Sequence, residues 1–484
     1  MLGLEKLKRL VFGYDATVST TRRRSPKSDV KSEDDHLNAS ERRKLISTTR
    51  DLRRNFALTA WMIRKHLDFV ATHTFQSVNR IKELDNQIEN LMKWWGQKRN
   101  FDISKKHSLR RFTRLAEAGR TVDGDFFIWK SRRGYVSGIE SDRIANASGT
   151  GLSANEFRKY NRGIRKSASG EHISYMLNDR IHGGGSLKFS KILSARDTIQ
   201  FAYWDRIDQD RGISPMASGI NSSQDVNESI IYALARAKVA QLFAFAMKRQ
   251  SADSAGEVEG GTDADDNEDK SAFTIDFGKG PVILDLGPDD EAKFLETNLH
   301  LEDFKTFLIA VISLALKSLD IPYSFYDESF TNYSGARQAL LLYFQSAAEK
   351  QKDVQELLDE LTYWRLTLWV IDGIITLPPG MTVADLIWEW RPTGIPWIDP
   401  LKEVKGDNEA VEGVLTSRQR IARRSGNDFW EILAERAEED KAIAKDLPSQ
   451  KKELDADALI QAIAVKAAEI IDNQKESEED DNNE

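Results

Sequence analysis

The sequence predicts a mostly α-helical α+β protein, and three observations carry that prediction. Apolar residues recur at helical spacing through several long stretches, the longest being the 37 residues from 336 to 372, which contain neither Pro nor Gly. The spacing changes to alternation in two places, around Arg132, Arg133 and Gly134 and around residues 278–281, as expected of β-hairpins. The composition, 40% hydrophobic and 30% charged over 484 residues, is that of a folded chain long enough for several domains.

Residues 1–40 read as a flexible basic arm, because residues 15–40 are chiefly Ser, Thr, Lys, Arg and Asp and bury too little to offset their ordering entropy. Residues 40–73 read as helix, with Leu45, Leu52, Phe56, Leu58, Met62 and Ile63 at helical spacing and Ser40 as N-cap before Glu41. A second helix is expected over 104–118, starting at Ser104, and then a hairpin over 122–139 carrying Phe126, Ile128, Tyr135 and Ile139. Residues 225–249 form an Ala-rich helix whose closing basic residues suit the negative end of its dipole.

Residues 251–269 hold eight acidic side chains and no basic one, with Gly256, Gly260 and Gly261 among them, so a solvated acidic loop is expected. Phe273, Ile275 and Phe277, then the turn, then Val282, Leu284 and Leu286 make the second hairpin. Residues 301–319 form an apolar helix (Phe304, Phe307, Leu308, Val311, Ile312), and residues 320–333 a loop with Pro322. The helix over 336–372 would span about 55 Å. Such a length belongs to coiled coils, repeats or assemblies. A strand over 387–391 and a turn over 392–396 precede Asp399 and Pro400, an N-cap with Pro at the first helical position. Three short helices are expected within 400–445, an amphipathic helix over 455–475 and a disordered acidic tail over 476–484.

Sixty-nine Lys and Arg against 77 Asp and Glu leave a net charge of only −8. That charge is divided: residues 1–250 carry 46 basic and 27 acidic side chains, net +19, and residues 251–484 carry 23 and 50, net −27. The absence of Cys excludes disulfides, thiolate nucleophiles and thiolate zinc sites. The apolar stretch at 10–12 is shorter than the about 7 to 15 residues of a signal-peptide core. The run over 306–316 falls below the roughly 20 residues that cross a bilayer. A soluble protein with no membrane association is expected.

No GxxxxGK[ST] loop, HExxH pair or GxSxG elbow occurs. Gly183, Gly184 and Gly185 lack the spacing of a dinucleotide fingerprint and read as a turn, and the seven His are scattered. Asp263, Asp265 and Asp266 read as solvated charge and not as a metal site. No catalytic residue, cofactor or metal is expected, and the chain reads as a non-enzyme.

Residues 416–436 resemble a helix-turn-helix, with Arg418, Arg420, Arg423 and Arg424 on the first helix. Asp428, Glu431, Glu435, Glu438 and Glu439 on the second would repel phosphates. Trp364, Trp369, Trp388, Trp390, Trp397 and Trp430 lack interleaved cations and read as core and subunit interface, not as a base-stacking platform. A DNA-binding regulator through residues 416–436 and a coiled-coil scaffold on residues 336–372 are thus the rivals of the reading that follows.

Several local patterns, taken together, resemble the lambda-type portal family of tailed bacteriophages. Arg50, Leu52, Arg54 and Asn55 resemble that family's early Arg-rich helix. Asp205 and Arg206, then Asp210, Arg211, Gly212, Ile213, Ser214 and Pro215, resemble its RG-x-[SP]-P turn. The strongest match is Asn332, Tyr333, Ser334, Ala336 and Arg337, although Gly335 stands where a second Ser is usual. Gly394, Pro396, Trp397, Ile398, Asp399, Pro400, Lys402 and Glu403 follow, then Gly413, Thr416, Gly426 and Asp428 in the family's order. The acidic 251–269 insert is not a family hallmark.

The resemblance implies a portal fold of wing, stem, clip and crown, assembled as a cyclic homo-oligomeric ring, usually a dodecamer, at one capsid vertex of the virion. Double-stranded DNA would pass through it without sequence specificity during packaging, retention and ejection. The implied partners are the large terminase, the major capsid or scaffolding protein and a head-tail adaptor, with the host cytoplasm as the site of assembly. On this mapping residues 41–224 are the wing, 225–249 the first stem helix, 250–290 the clip and 301–319 the second stem helix. Residues 320–334 are the tunnel loop, 335–399 the long helix and its return to the wing, and 400–475 the crown.

A DNA channel must not grip its cargo, since each neutralised phosphate adds counterion-release affinity. Asp320, Asp327 and Glu328, with Tyr323, Tyr326, Asn332 and Tyr333, are therefore expected at the tunnel loop and lumen. Lys238, Lys305 and Lys317 are candidates for sparse DNA contacts or for salt bridges between stems. Asp263, Asp265, Asp266, Phe273 and Phe277 are the expected motor- and adaptor-facing clip. Arg110, Arg111, Arg114, Arg132 and Arg133 are expected to meet an acidic partner or solvent.

Overall fold

Two units, residues 1–392 and 393–484, make up the chain in a computed structural model. It describes residues 30–147, 149–181, 187–242, 246–248, 284–286, 301–327, 333–394 and 400–446. The architecture is mostly helical α+β. The arm before residue 30, the acidic loop 251–269, residues 273–277, Trp397, Asp399 and everything past 446 lie outside the described residues.

The expected single helix over 40–73 is two helices, α1 (Ala39–Asn55) and α2 (Ala57–Val70). Phe56 between them is extended (φ −115°, ψ 116°) and buried, so the chain turns there to bring its ring into the core. The N-cap is Asn38, not Ser40. Its side-chain oxygen accepts from the N–H groups of Ser40 and Glu41, and the Glu41 carboxylate accepts from the Asn38 N–H, a reciprocal capping box. His73 opens strand β1 (His73–Ser77) and does not close a helix; α3 (Lys82–Trp95) follows.

The helix expected from Ser104 starts later, as α4 (Leu109–Asp123) with Ser108 as N-cap. Asp102 explains the shift: its carboxylate accepts from the backbone N–H groups of Ser104, Lys106 and His107 and holds that stretch as a loop. The first hairpin is present, β2 (Asp125–Lys130) against β3 (Val136–Glu140), and β8 (Thr198–Ala202) pairs antiparallel on the other edge of β2. A four-stranded antiparallel sheet, β4 (Tyr160–Asn161), β5 (Ile164–Lys166), β6 (His172–Arg180) and β7 (Leu187–Ser194), was not expected. Phe127, Ile139, Ile144, Tyr175 and Leu177 form the core between it and the hairpin.

Helix α5 (Ile220–Leu242) ends before the expected 249, and β9 (Ala246–Lys248) pairs parallel with β10 (Leu284–Leu286). The described partner of the strand at 284–286 is thus upstream, while the other arm of the expected hairpin, residues 273–277, lies outside the described residues. Helix α6 (Leu301–Lys317) packs on α5, and a short helix, α7 (Tyr323–Asp327), replaces part of the expected loop. The long helix is present as α8 (Tyr333–Ile371), 39 residues or about 58 Å. Its Val354, Leu358, Leu361, Leu366 and Trp369 enter the main core beside Trp95 and Phe112. Strand β11 (Trp388–Pro392) returns antiparallel to β1, bringing Trp390 and Phe75 edge to face with ring centroids 5.2 Å apart.

In the second unit, α9 (Pro400–Glu412), α10 (Arg418–Arg424) and α11 (Phe429–Asp446) are the three expected short helices. Arg424 is held by Asp407, while Arg418, Arg420 and Arg423 are exposed and Trp430 is 62% exposed, so Trp430 is not a core residue of the chain.

Candidate functional site

The stretch Arg211 to Pro215 is where three elements are locked together. The Arg211 guanidinium is 3% exposed and spends its donors on the Asp125 carboxylate and on the carbonyls of Ile144, Arg162 and Ser141. Asp125 also receives Arg42 of α1 at 3.1 Å and Ser141 Oγ. Burial disfavours the Asp125 charge, but Arg211 and Arg42 more than offset it and hold the carboxyl below its usual range. Gly212 follows because nothing larger fits: a Cβ there would lie 2.1 Å from the Gly124 carbonyl oxygen, and Gly124 itself has φ +96°. Ser214 donates to the Thr121 carbonyl, and Pro215 opens the helical turn leading into α5.

A second buried network joins α4 to the long helix. Arg120, 1% exposed, donates to both oxygens of Glu117 and to Asp353 of α8 at 2.6 Å, and lies over the Tyr203 ring at 4.0 Å. Burial opposes ionisation of Glu117, yet the charge of Arg120 and the hydrogen bond from His66 hold its pKa down, at about 2. Burial keeps His66 neutral, so its contribution is a hydrogen bond from Nε2 at 2.7 Å and no charge. Lys130 to Glu360 at 2.7 Å and Gln351 to the Phe69 carbonyl at 2.7 Å fasten α8 further. None of these residues carried a motif in the sequence; the helical spacing of Glu117, Arg120 and Thr121 is a signal that places them on one face, and it went unread.

The turn between α6 and α7 holds the described part of the expected tunnel loop. Asp320 sits at φ +61°, with its N–H on the Lys317 carbonyl and the Ile321 N–H on the Leu316 carbonyl, the paired bonds of a Schellman cap. Leu316 and Ile321 are both buried, which supplies the apolar contact of that motif. The Asp320 carboxylate accepts from Ser346 Oγ at 2.6 Å and Lys350 Nζ at 2.8 Å of α8. Burial works against its charge, but those bonds prevail and keep the carboxyl below its ordinary range. Thus Asp320 braces the turn against the long helix within its own chain.

Tyr323 and Tyr326 lie in α7, where Tyr326 meets Trp61 edge-on at 6.0 Å, and Asp327 is exposed at the end of α7. Tyr333 opens α8. Glu328 and Asn332, with Asp263, Asp265, Asp266, Phe273 and Phe277, lie outside the described residues. Lys238 on α5 and Lys305 and Lys317 on α6 are exposed. Arg110, Arg111, Arg132 and Arg133 are also exposed, but Arg114 is paired with Asp68 at 2.7 Å.

The same helices leave large apolar side chains in solvent. Tyr232 is 70% and Leu234 56% exposed on α5, Phe307 55% and Leu314 63% on α6, and Leu341 and Leu342 are exposed near the start of α8. On α6 two of them, Phe307 and Leu314, stand seven residues apart and so share one face. Among the described residues no group of His, Cys, Asp or Glu could hold a metal ion, and no helix is long and apolar enough to cross a membrane.

A model of the family described as phage portal protein, lambda family, matches residues 19–351. The probable portal protein of Halomonas phage phiHAP-1 is 24% identical over 366 residues, covering 70% of this chain and 67% of that one. Among solved structures, a chain from the neck of an empty gene transfer agent particle computed with C6 symmetry is similar with a TM-score of 0.46 at 13% identity, covering 79% of this chain and 94% of the other. One from the neck of the native particle computed with C12 symmetry gives 0.43 at 13% identity, covering 79% and 93%.

Proposed function

The chain belongs to the lambda family of phage portal proteins, which are structural and non-enzymatic proteins of the virion, and from that premise we propose that it forms the ring-shaped channel at one capsid vertex. Double-stranded DNA passes through this ring during packaging and ejection and is retained by it between the two. In this reading α5 and α6 are the stem, residues 250–290 the clip that docks the terminase motor and later the adaptors, and residues 320–334 the tunnel loop. Residues 41–224 are the wing that meets capsid or scaffolding protein, α8 the long helix joining tunnel loop to wing, and residues 400–475 the crown.

The observation that carries the reading is the exposed apolar surface of the stem helices. Phe307 and Leu314 lie seven residues apart on one face of α6, and the described residues leave both more than half exposed. A cyclic array covers such a face with the neighbouring copy, by heterologous contacts that close on themselves. The exposed Asp327 at the tunnel loop fits a lumen that repels the phosphate backbone.

Mass photometry of the purified chain tests the assembly. Twelve copies of 54.9 kDa give a particle near 0.66 MDa. A small dimer with specific DNA affinity would instead favour a regulator acting through residues 416–436, and a filament would favour a coiled-coil scaffold built on α8.

A further inference from the structure

A groove on the first unit has a charge pattern that the described residues leave unbalanced. A cavity of about 810 Å³ is bounded by α1, the 102–107 loop, α4, β3 and Arg180 of β6. A second cavity of about 400 Å³ adjoins it and shares Arg50 and Arg54. Arg43, Ser47, Arg50 and Arg54 recur at the four- and three-residue steps of one helix face, so the basic edge runs about 16 Å along α1.

The acids of the larger cavity are already engaged. Asp102 accepts from Ser104 Oγ and from three backbone N–H groups. Asp123 takes Arg50 in a two-pronged pair at 2.8 and 2.6 Å, and Glu140 takes Arg180 and, at 3.3 Å, Arg50. Two of the cations, Arg50 and Arg180, are consumed in those pairs. Arg53, Arg54 and Lys106 have no ion-pair partner among the described residues, which leaves a local excess of positive charge facing the cavity. The partial burial of Arg53 draws its pKa down, and together with the like charge of Arg50 it outweighs the opposing pull of Asp123 and Glu140.

We propose that this groove docks an acidic peptide segment of a partner protein, with one apolar side chain among its carboxylates. Half-buried Leu115 lines the larger cavity and supplies the contact for that side chain, while Phe112 and Phe126 of the same lining are buried. Nucleic acid fits less well: Asp123, Glu140 and, in the adjoining cavity, Asp51 and Asp142 alternate with the cations. A phosphodiester backbone carries a charge at every residue and meets each of these acids as a like charge, whereas flexible Glu and Asp side chains can turn their carboxylates toward the arginines and away from the acids.

The test is fluorescence anisotropy on the full chain, with a fluorescein-labelled nonapeptide of alternating Glu and Asp around a central Phe, and a labelled nine-nucleotide oligothymidine as the phosphate probe. The peptide is expected to bind more tightly than the oligonucleotide. Arg54→Glu with Lys106→Glu should weaken peptide binding by about tenfold or more. Arg110→Glu, an exposed charge reversal on α4 outside the groove, should leave it within about twofold. Both altered positions in the groove are exposed, so an unchanged melting temperature confirms the fold. Tighter binding of the oligonucleotide, equal losses in the two variants, or no peptide binding by the unaltered chain would each overturn the proposal.

Discussion

Arg211 and Asp125 meet as a buried fork, Nε donating to Oδ2 at 2.6 Å and Nη2 to Oδ1 at 3.0 Å, with 3% and 0% of the two side chains exposed. Removing one member of such a pair strands the other in a low-dielectric interior, which typically costs about 3–5 kcal/mol. Asp125→Asn retains the shape but leaves both Arg211 and Arg42 facing a neutral group, so a loss of that order is expected in urea unfolding. Arg211→Lys keeps the charge and gives up the fork and the carbonyl contacts, so it should also lower the midpoint. An Asp125→Asn chain as stable as the original would mean that the turn is held by Gly212 and Ser214 alone.

Asp320 offers a cleaner separation of backbone and side-chain effects. Its left-handed φ costs an L-residue about 1–2 kcal/mol, and its half-exposed pair with Lys350 returns at most about 1 kcal/mol. Asp320→Gly loses the pair and relieves the backbone, so its stability should lie within about 1 kcal/mol of the original. Asp320→Ala loses the pair and keeps the strain, and should fall about 1 kcal/mol below the Gly variant in thermal melting. A Gly variant that falls as far below the original as the Ala variant does would show that the bonds to Ser346 and Lys350, and not the cap geometry, hold the turn.

The parts of this fold that were legible in the sequence are those encoded by local periodicity. The long helix α8 announces itself through 37 residues without Pro or Gly, and the β2–β3 hairpin through Arg132, Arg133 and Gly134. Helix boundaries were less legible because side chains a few residues away decide them: Asp102 takes the N–H groups that would have started a helix at Ser104. The sheet β4 to β7 escaped because much of β7 is exposed, so its sequence shows no buried face. Of the candidate residues, the motif at Arg211 to Pro215 was visible, but its partner Asp125 lies 86 residues away and no spacing rule joins them. Asp320 was readable as a loop acid; its partner Lys350 lies across a tertiary contact.

The Glu117 network makes stability depend on pH in a fixed direction. Burial opposes the Glu117 charge, but Arg120 and the hydrogen bond from His66 lower its folded pKa to about 2, and burial lowers that of His66. In acid the folded chain therefore binds fewer protons at these two sites than the unfolded one, and their contribution is present at neutral pH. It declines as pH falls below about 6.5 for His66, and from about 4.5 toward 2 for Glu117, with a slope of about 1.4 kcal/mol per pH unit for each proton taken up. Urea midpoints measured from pH 7 to 3 should fall throughout. Glu117→Gln should start lower at pH 7, because Arg120 loses its buried partner, and then run flatter below pH 4.5. A parallel curve for the variant would assign the acid sensitivity to other carboxylates.

The exposed face of α6 separates folding from assembly. Phe307 and Leu314 are more than half exposed in the single chain, so replacing both with Ser removes little that the chain itself buries. Surface substitutions of this kind usually change stability by no more than about 0.5 kcal/mol. In a ring the same two side chains would lie between neighbouring copies, where burying a large apolar side chain is worth about 1.5–3 kcal/mol, and every interface of the ring would lose that contribution at once. The double variant Phe307→Ser, Leu314→Ser should therefore melt within a few degrees of the original as a monomer and fail to reach the ring mass in mass photometry at concentrations where the original assembles. A full-mass ring from this variant would place the subunit interface on another face of the molecule.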